Sequence, residues 1–343
     1  MMASIMGWDI GGVNIKAARL IPGGPPRVAL EPFELQRAPK RLSPTLAATA
    51  HSLGSDPDDY HAVTMTAELS QFFRTKREGV EFVLEAVEAC FGSARVHVFG
   101  TDGTFHRPAA ARVHPLGIAA ANWLATARLV AQFVETCLLI DIGSTTADIT
   151  PIVRGEVVAT GRTDPDRLAS GELLYTGALR TPAEAVVHRV PLRGGMAAVS
   201  AEGFALMGDV HVWLGALSPK HYTVPTPDGR PAARSFAGER LTRVVCGDSE
   251  LLSDADVDAI AQAIAAAQTA LVVEAIGQVH ARHPAITTAV VTGLGDFIAS
   301  RAARQARLSV TRLADRMGEA AALAAPATAV ATLLQQALAK VGR

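Results

Sequence analysis

The chain has 343 residues, 49% of them hydrophobic and 19% charged, which excludes a disordered protein and is long enough for two ordinary domains. The formal net charge of −1 gives no electrostatic basis for nucleic-acid binding. Three widely separated cysteines exclude a disulfide framework and a structural zinc site and favour a reducing compartment. We expect a cytoplasmic protein without a cleaved signal, since the first predicted strand begins almost at the N-terminus.

The first half predicts alternating strands and helices. A strand hairpin over about 5–20 is followed by a Pro/Gly turn at 22–26 and a helix near 42–53. Strands are predicted at 61–66 and 96–99 with a helix over 79–90 between them, and a further helix over 119–134 leads into the second half. This alternation is typical of an α/β protein.

The second half opens with a strand at 137–142 and another hairpin. From 162 to about 250 the sequence is rich in Gly, Pro and Arg, with short helical pieces such as 201–207, and we interpret it as an insertion that determines specificity. A long helix capped by Ser253 and Asp256 comes next, then a strand at 287–292. His211 and His221 are predicted to be surface or loop residues.

Pro326 divides the alanine-rich end into two helices, so no membrane span is predicted there. The last helix carries Val330 and Leu334 on one face, which we expect to dock on another part of the protein. The predicted domains are 1–131 together with the C-terminal helix 326–343, and 132–325 with the insertion at about 162–250.

One motif occurs twice. The segment 7–12, GWDIGG, contains Asp9, and the segment 139–144, LIDIGS, contains Asp141 in the matching position. Each time an apolar run ends in Asp-Ile and a turn of small residues, and a second β-prone stretch follows. The pattern predicts one strand–turn–strand hairpin in each half.

The two hairpins predict a phosphate clamp. Backbone N–H groups in such turns can bind phosphate oxygens, and a carboxylate at the strand end can hold a divalent cation. We therefore predict Asp9 and Asp141 as magnesium ligands and catalytic residues. Lys16 and Asp148 stand at matching positions with opposite charges, so the halves are expected to differ in role. The predicted phosphate-binding residues are Gly11, Gly12, Asn14, Lys16, Gly143, Ser144, Thr145, Thr146, Gly293 and Gly295.

The last two of these belong to a third motif, VTGLGD at 291–296. The three motifs, in this order and each behind a predicted strand, resemble the two phosphate loops and the adenosine loop of the actin, sugar-kinase and heat-shock chaperone superfamily. The resemblance implies a two-domain actin-like ATPase fold, related to ribonuclease H, with a central cleft. A Rossmann fingerprint is disfavoured, because the third glycine and the preceding βαβ unit are missing.

Further segments resemble a narrower family across nearly the whole chain. They are GWDIGGVNIK at 7–16, MTAEL at 65–69, GELLYTG at 171–177, RTP at 180–182 and MGDV at 207–210. They are similar to short hydantoinase/oxoprolinase-like proteins of tetrahydromethanopterin-linked one-carbon metabolism, which include furan-methanamine synthases of methanofuran and methylofuran biosynthesis. The resemblance implies that a furanmethyl diphosphate alkylates the phenol of γ-glutamyltyramine and releases diphosphate.

The resemblance also implies site residues. The predicted substrate contacts are Glu172, Tyr175, Thr176, Arg180 and Asp209. Glu68 is the predicted base for the phenolic proton. An ordinary glutamate and a phenol differ by about 6 pKa units, or roughly 8 kcal/mol, so proton transfer is expected to be late and concerted with departure of the diphosphate.

Other functions remain open at this point. The same fold serves ATP-dependent small-molecule kinases, hydantoinase-type hydrolases, whose chains are usually much longer, and non-catalytic nucleotide-binding scaffolds. We expect Mg²⁺ as a cofactor, with ATP binding possible but not required. The expected partners are small-molecule substrates, without nucleic acid or membrane, and the oligomeric state is left open.

Overall fold

The structure is a computed structural model that describes residues 4–21 and 23–341, the side chain of residue 341 excepted. Pro22 of the predicted turn lies outside the described residues, as do residues 1–3 and 342–343 at the ends of the predicted first domain.

Strands and helices alternate through the described residues, as an α/β protein requires. The strands are β1 (Ile5–Ile10), β2 (Asn14–Leu20), β3 (Arg27–Pro32), β4 (Tyr60–Met65), β5 (Val96–Phe99), β6 (Phe105–His106), β7 (Cys137–Ile142), β8 (Ala147–Val153), β9 (Glu156–Val157), β10 (Leu173–Leu174), β11 (Arg189–Leu192), β12 (Gly195–Ala198), β13 (Thr288–Thr292) and β14 (Ser309–Arg312). The helices are α1 (Leu42–Ser52), α2 (Lys76–Phe91), α3 (Pro108–Val113), α4 (Asn122–Val130), α5 (Asp164–Ser170), α6 (Met207–Trp213), α7 (Arg234–Arg243), α8 (Asp254–Arg282), α9 (Asp296–Gln305), α10 (Ala314–Met317), α11 (Glu319–Leu323) and α12 (Ala325–Val341).

The chain forms two compact units. The first comprises Met1–Thr136, Ile152–Asp164 and Leu313–Arg343, and the second comprises Cys137–Pro151 and Pro165–Arg312. The sheet of the first unit has the strand order β3-β2-β1-β4-β5-β6, in which β1 runs antiparallel to β2 and parallel to β4. Helix α12 packs against β1, β2, β4 and α4, and buries Val330 and Leu334 in that unit.

The second unit repeats this topology. Its sheet has the order β10-β8-β7-β13-β14, with β13 parallel to both β7 and β14. The strand that carries the repeated motif is central in each sheet, between its hairpin partner and a parallel strand that comes later in the chain. Because parallel strands end at the same edge, residues that follow β1 and β4, or β7 and β13, are brought together within their own unit.

Helix α8 is the main core helix of the second unit. Ser253 caps it by accepting a hydrogen bond from the Asp256 N–H, as the sequence predicts. In the described part of the chain α8 is the one helix long and apolar enough to cross a membrane, yet half of its most apolar window is buried inside the protein. Residues such as Ile260 and Ile264 pack in a cluster with α6 and α7, as expected for a core helix.

Three local predictions are wrong. The helix predicted over 119–134 is the shorter α4, because Ala120 has a φ of +50°, outside the helical range. Residues 201–206 are not helical, and α6 begins only at residue 207, since Gly203 has a φ of +67°. His211 is buried in α6 rather than exposed, with its ring Nε2 2.9 Å from the Gln268 Oε1.

Candidate active site

The first of the two turns predicted to bind phosphate, called the first phosphate turn, lies at the carboxyl end of β1. The Gly11 N–H donates to the Asn14 carbonyl at 2.9 Å and closes the turn. The N–H groups of Gly12 and Val13 find no acceptor within the residues that the structure describes. Two adjacent and partly exposed donors are therefore available for an anion, as phosphate binding requires.

Asp9 and Lys16 lie side by side beneath this turn. They are paired in the register of β1 and β2, and the Lys16 Nζ donates to the Asp9 Oδ2 at 3.2 Å. The Asp9 Oδ1 is buried without a hydrogen-bond partner among the described residues. An oxygen in that position is costly unless a ligand or water completes it.

The donor set at Asp9 fits a magnesium ion bound to diphosphate better than a cage made only of protein. The described residues contain no cluster of three or more His, Cys, Asp or Glu side chains able to hold a metal. Mg²⁺ commonly takes one or two carboxylates and completes its shell with water and phosphate oxygens. The unpartnered Asp9 oxygen beside the turn is consistent with that mode of binding.

Glu68 follows the strand next to β1, two residues after Thr66, which lies beside the same turn. It is held in a 3-10 helix, Ala67–Leu69, directly after β4, and the Thr66 N–H donates to the Ile10 carbonyl at 2.9 Å. The Glu68 side chain is buried, and neither carboxylate oxygen makes a hydrogen bond of good geometry within the described residues. Burial raises the pKa of Glu68 to about 8.

An ion pair and a strained residue surround Glu68. Lys76, the first residue of α2, donates to Asp164 at 2.5 Å. The Lys76 charge lowers the pKa of Glu68, whereas the Asp164 charge raises it, so burial remains the dominant cause. Ala120, in its left-handed conformation, directs its backbone N–H towards the carboxyl group and stabilises the ionised form. Strained backbone of this kind is concentrated at functional sites.

Close packing fixes Glu68 against α2. A Cβ atom added at Gly79 would lie 2.5 Å from the Glu68 Cα and 2.8 Å from its carbonyl oxygen. Only glycine allows the first turn of α2 to approach the carboxylate residue this closely.

The second phosphate turn, at the end of β7, has the same internal hydrogen bond. The Gly143 N–H donates to the Thr146 carbonyl at 2.9 Å. Residues of the predicted specificity segment cover this turn: the Ala178 N–H donates to the Gly143 carbonyl, and the Arg180 N–H donates to the Ser144 carbonyl, each at 2.9 Å.

The third motif joins the second turn at the ends of β7 and β13. The Gly295 N–H donates to the Ile142 carbonyl at 2.8 Å. A Cβ atom at Gly293, whose φ is +88°, would lie 2.4 Å from an Asp141 carboxylate oxygen. Two of the three sequence motifs are therefore contiguous within the second unit.

The residues predicted to contact substrate divide into two groups. Asp209 is buried in an ion pair with Arg240 at 2.8 Å, and Glu172 is buried in one with Arg282 at 3.2 Å. Thr176 is also buried, and accepts a hydrogen bond from the Gln268 amide at 3.0 Å. These contacts favour structural roles for all three residues.

The other two predicted contacts are exposed. The Tyr175 side chain is 58% exposed, and Arg180 is exposed beside the second turn. Both are accessible to a ligand.

Sequence reasoning missed the surroundings of Glu68. Asp164 is far from Glu68 in the chain and carries no motif, and no local pattern marks Ala120 as left-handed. The short spacing between Glu68 and Lys76 is the one sequence feature that could have indicated these surroundings. A helix that starts soon after the end of a strand is typical of a site in an α/β protein.

The fold is that of actin-like ATPases and sugar kinases, with a duplicated strand–turn–strand hairpin. The nucleotide-free structure of acetone carboxylase matches 96% of this chain and 70% of its own at a TM-score of 0.62 and 11% identity. A ROK family glucokinase from Streptomyces griseus, in complex with glucose and AMPPNP, matches 97% of this chain and 100% of its own at a TM-score of 0.50 and 13% identity.

The family is narrower than the fold. The Hydantoinase/oxoprolinase family model matches residues 59–337, and the chain belongs to this family. The chain is similar to the (4-{4-[2-(γ-L-glutamylamino)ethyl]phenoxymethyl}furan-2-yl)methanamine synthase of Methanocaldococcus jannaschii, with 35% identity over 99% of this chain and all of the relative. The protein of the same name from Methanococcus vannielii is 33% identical over 63% of this chain and all of its own length.

Proposed function

We propose that this protein is an alkyltransferase that forms the aryl ether of the methanofuran-type cofactor core. The names of the two relatives describe a product in which a phenol oxygen is joined to a furan methylene. In the proposed reaction the bond between the furan methylene and diphosphate breaks, and both electrons leave with the diphosphate. The phenol oxygen of γ-glutamyltyramine supplies the pair for the new C–O bond, and its proton passes to the Glu68 carboxylate.

The observation that carries this proposal is the 35% identity over 99% of this chain to a synthase whose name describes the ether product, and the buried Glu68, whose pKa burial raises to about 8, supports it as the base. A base of pKa about 8 lies about 2 units below a phenol of pKa about 10, so proton transfer costs roughly 3 kcal/mol instead of the roughly 8 that an ordinary glutamate would face. At pH 7 about one molecule in ten carries the ionised form, which costs a further ~1.4 kcal/mol. The reduction in the free energy of proton transfer is larger than the cost of ionising Glu68.

The first phosphate turn supplies the groups that a diphosphate needs. The Gly12 and Val13 N–H groups donate to its oxygens, and Lys16 adds a positive charge from the neighbouring strand. Asp9 would hold magnesium, which neutralises the charge that develops on the departing diphosphate. Lys16 is only partly exposed and already paired with Asp9, so it is restrained in position before a ligand arrives.

In the second unit we retain Tyr175 and Arg180 as substrate contacts and Asp141 as a second candidate for binding magnesium. An exposed guanidinium beside a turn of backbone donors suits an anionic ligand. Glu172, Thr176 and Asp209 are left out of the proposed substrate contacts, since their side chains are bound within the protein. No step of the proposed reaction requires ATP.

The test is release of pyrophosphate. Purified protein is incubated with Mg²⁺, the furanmethyl diphosphate and γ-glutamyltyramine, together and with each component omitted, and a parallel reaction contains ATP alone. We expect pyrophosphate and the ether only when both organic substrates are present. Release of ADP without the furan diphosphate would contradict the transferase and support a kinase or an ATPase.

A further inference from the structure

We propose that residues 69–75, here called the acceptor loop, bind γ-glutamyltyramine: Leu69 and Phe72 contact the phenol ring, and Arg74 binds the glutamyl carboxylate. This inference rests on the proposed function and locates the acceptor relative to Glu68. The loop connects the 3-10 helix of Glu68 to α2, and none of the sequence motifs for phosphate includes it.

The acceptor loop exposes apolar side chains immediately after a buried carboxylate. Leu69 is 48% exposed and Phe72 is 46% exposed, whereas Glu68 is 2% exposed. The Phe72 ring is not loosely placed: its centroid lies 5.1 Å from that of Phe73 and 6.0 Å from that of Phe82, in edge-to-face contacts. An aromatic ring held in this way offers a fixed apolar surface to an aryl ligand.

The backbone of the loop is also ordered by hydrogen bonds. The Phe73 N–H donates to the Ser70 carbonyl at 3.0 Å, and the Arg74 N–H donates to a Glu78 carboxylate oxygen at 2.9 Å. Thr75 caps α2 by accepting from the Glu78 N–H at 3.2 Å. Since the chain is restrained on both sides of Phe72, its exposed ring needs little further ordering to bind a ligand.

Arg74 provides the complementary charge. Its side chain is exposed, and its guanidinium makes no hydrogen bond or ion pair with any residue that the structure describes. γ-Glutamyltyramine combines one phenol ring with one α-amino acid carboxylate, and a guanidinium binds a carboxylate through two parallel hydrogen bonds. The exposed apolar side chains of Leu69 and Phe72 therefore match the phenol end of the acceptor, and the Arg74 guanidinium matches its carboxylate end.

The acceptor loop is continuous with the phosphate turn. Gln71 accepts a hydrogen bond from the Gln36 amide at 3.4 Å, and the neighbouring Leu35 N–H donates to the Gly12 carbonyl at 3.0 Å. The loop and the turn are thus connected by hydrogen bonds at the carboxyl edge of β1 and β4. Glu68, whose carboxylate oxygens are buried, directly precedes the loop in the chain. In the proposed complex the acceptor ring lies on the loop and its hydroxyl reaches the Glu68 carboxylate.

The experiment compares acceptors that have and lack the carboxylate. Initial rates of pyrophosphate release are measured at saturating furan diphosphate with varied γ-glutamyltyramine or tyramine, for the wild type, Phe72→Ala, Phe72→Leu and Arg74→Gln. Val113→Ala, at a side chain 67% exposed outside the loop, and Arg41→Gln, at another exposed arginine, serve as matched controls. Thermal melting confirms that each variant is folded.

Substitutions of Phe72 and of Arg74 should change the KM of the two acceptors differently. Phe72→Ala should raise the KM about three- to tenfold for both acceptors, with a smaller rise for Phe72→Leu. Arg74→Gln should raise the KM about tenfold or more for γ-glutamyltyramine and leave tyramine unaffected. The KM of the furan diphosphate and the two controls should stay at wild-type values.

Failure of this inference is distinguishable from failure of the proposed function. If wild-type protein releases no pyrophosphate with both substrates, the transferase itself is wrong, and the acceptor loop with it. If the wild type is active but folded loop variants keep the wild-type KM for both acceptors, only the acceptor loop is wrong. An equal effect of Arg74→Gln on both acceptors would overturn the role of Arg74 as the carboxylate partner.

Discussion

The two copies of the hairpin have the same topology and different electrostatics. In the first copy Asp9 keeps one buried oxygen without a partner within the described residues, and Lys16 is partly exposed beside the turn. In the second copy Asp148 stands at the position of Lys16 and is bound to Arg167 at 2.6 Å, where Arg167 is buried. Each turn accepts backbone hydrogen bonds from a segment that follows it, which contains Leu35 in the first copy and Arg180 in the second.

This difference supports the proposal that the ligand binds beside the first copy. Buried polar groups are costly when left unpaired, so an unpaired buried oxygen is a candidate for completion by a ligand. Asp9 in the first copy has such an oxygen. In the second copy Asp148 is paired with Arg167, and elsewhere in the second unit Glu172 and Asp209 are also paired with arginines.

The strongest test of the comparison is Glu68→Gln. The substitution keeps size and burial but removes the proton acceptor, so turnover should fall by about 10²–10⁴ while substrate binding is retained. In the wild type, kcat/KM should rise with pH until about 8, as the carboxylate forms, and the variant should lose this rise. Glu85→Gln, at an exposed glutamate on α2, is the matched control and should keep wild-type turnover. Normal turnover in Glu68→Gln would remove Glu68 from the mechanism.

The pH dependence of the free energy of unfolding should reveal the raised pKa of Glu68 without a measurement of activity. The pKa of Glu68 is raised in the folded protein from 4.5 to about 8, so the folded state binds the proton more tightly than the unfolded state. The stability that the protonated Glu68 contributes is therefore complete below pH 4.5 and is lost as the pH rises towards 8, by an amount on the order of 5 kcal/mol.

Urea unfolding of the wild type and Glu68→Gln at pH 6 and pH 8.5 measures this loss. The variant lacks the titrating group, so its free energy of unfolding should exceed that of the wild type by more at pH 8.5 than at pH 6. Parallel pH profiles for the two proteins would show that the pKa of Glu68 is ordinary.

Patterns within the sequence were sufficient for the repeated hairpin and most of the elements around it. Strand β7 and strand β5 have the predicted bounds, because short apolar runs between turn residues leave few alternatives. The helix cap at Ser253 follows from its spacing to Asp256. Such features depend on neighbours in the chain.

Features that depend on distant residues were not predictable in this way. The ion pair of Lys76 with Asp164 joins residues 88 positions apart, and the burial of His211 depends on its contact with Gln268 on another helix. The left-handed conformation of Ala120 has no local signal, since alanine favours helices. The chemistry of Glu68, unlike its position after a strand, arises from this tertiary environment.

Two single substitutions, one in each copy of the hairpin, separate the roles of the two copies. Asp9→Asn should lower kcat/KM by about a hundredfold and increase the concentration of Mg²⁺ required, with little loss of stability, because Lys16 can be solvated. Asp148→Asn should leave the activity of the folded protein nearly unchanged but lower the free energy of unfolding by about 3 kcal/mol, because it leaves the buried Arg167 charge without its carboxylate. Steady-state kinetics and urea unfolding of both variants check this reciprocal result. Equal effects on activity would mean that the two copies have not diverged.

The smallest expected effect concerns the packing that positions Glu68. Gly79→Ala would place a Cβ atom 2.5 Å from the Glu68 Cα, so α2 must shift, at a cost of about 1–3 kcal/mol despite the better helix propensity of alanine. Gly277→Ala, within α8, meets no atom within 4 Å and should instead stabilise the protein by up to about 1 kcal/mol. Urea unfolding gives both values, and kcat of Gly79→Ala shows whether the shift reaches the carboxylate. Stabilisation by both substitutions would mean that α2 does not hold Glu68 in place, and that the geometry of the base depends on Ala120 and the ion pair alone.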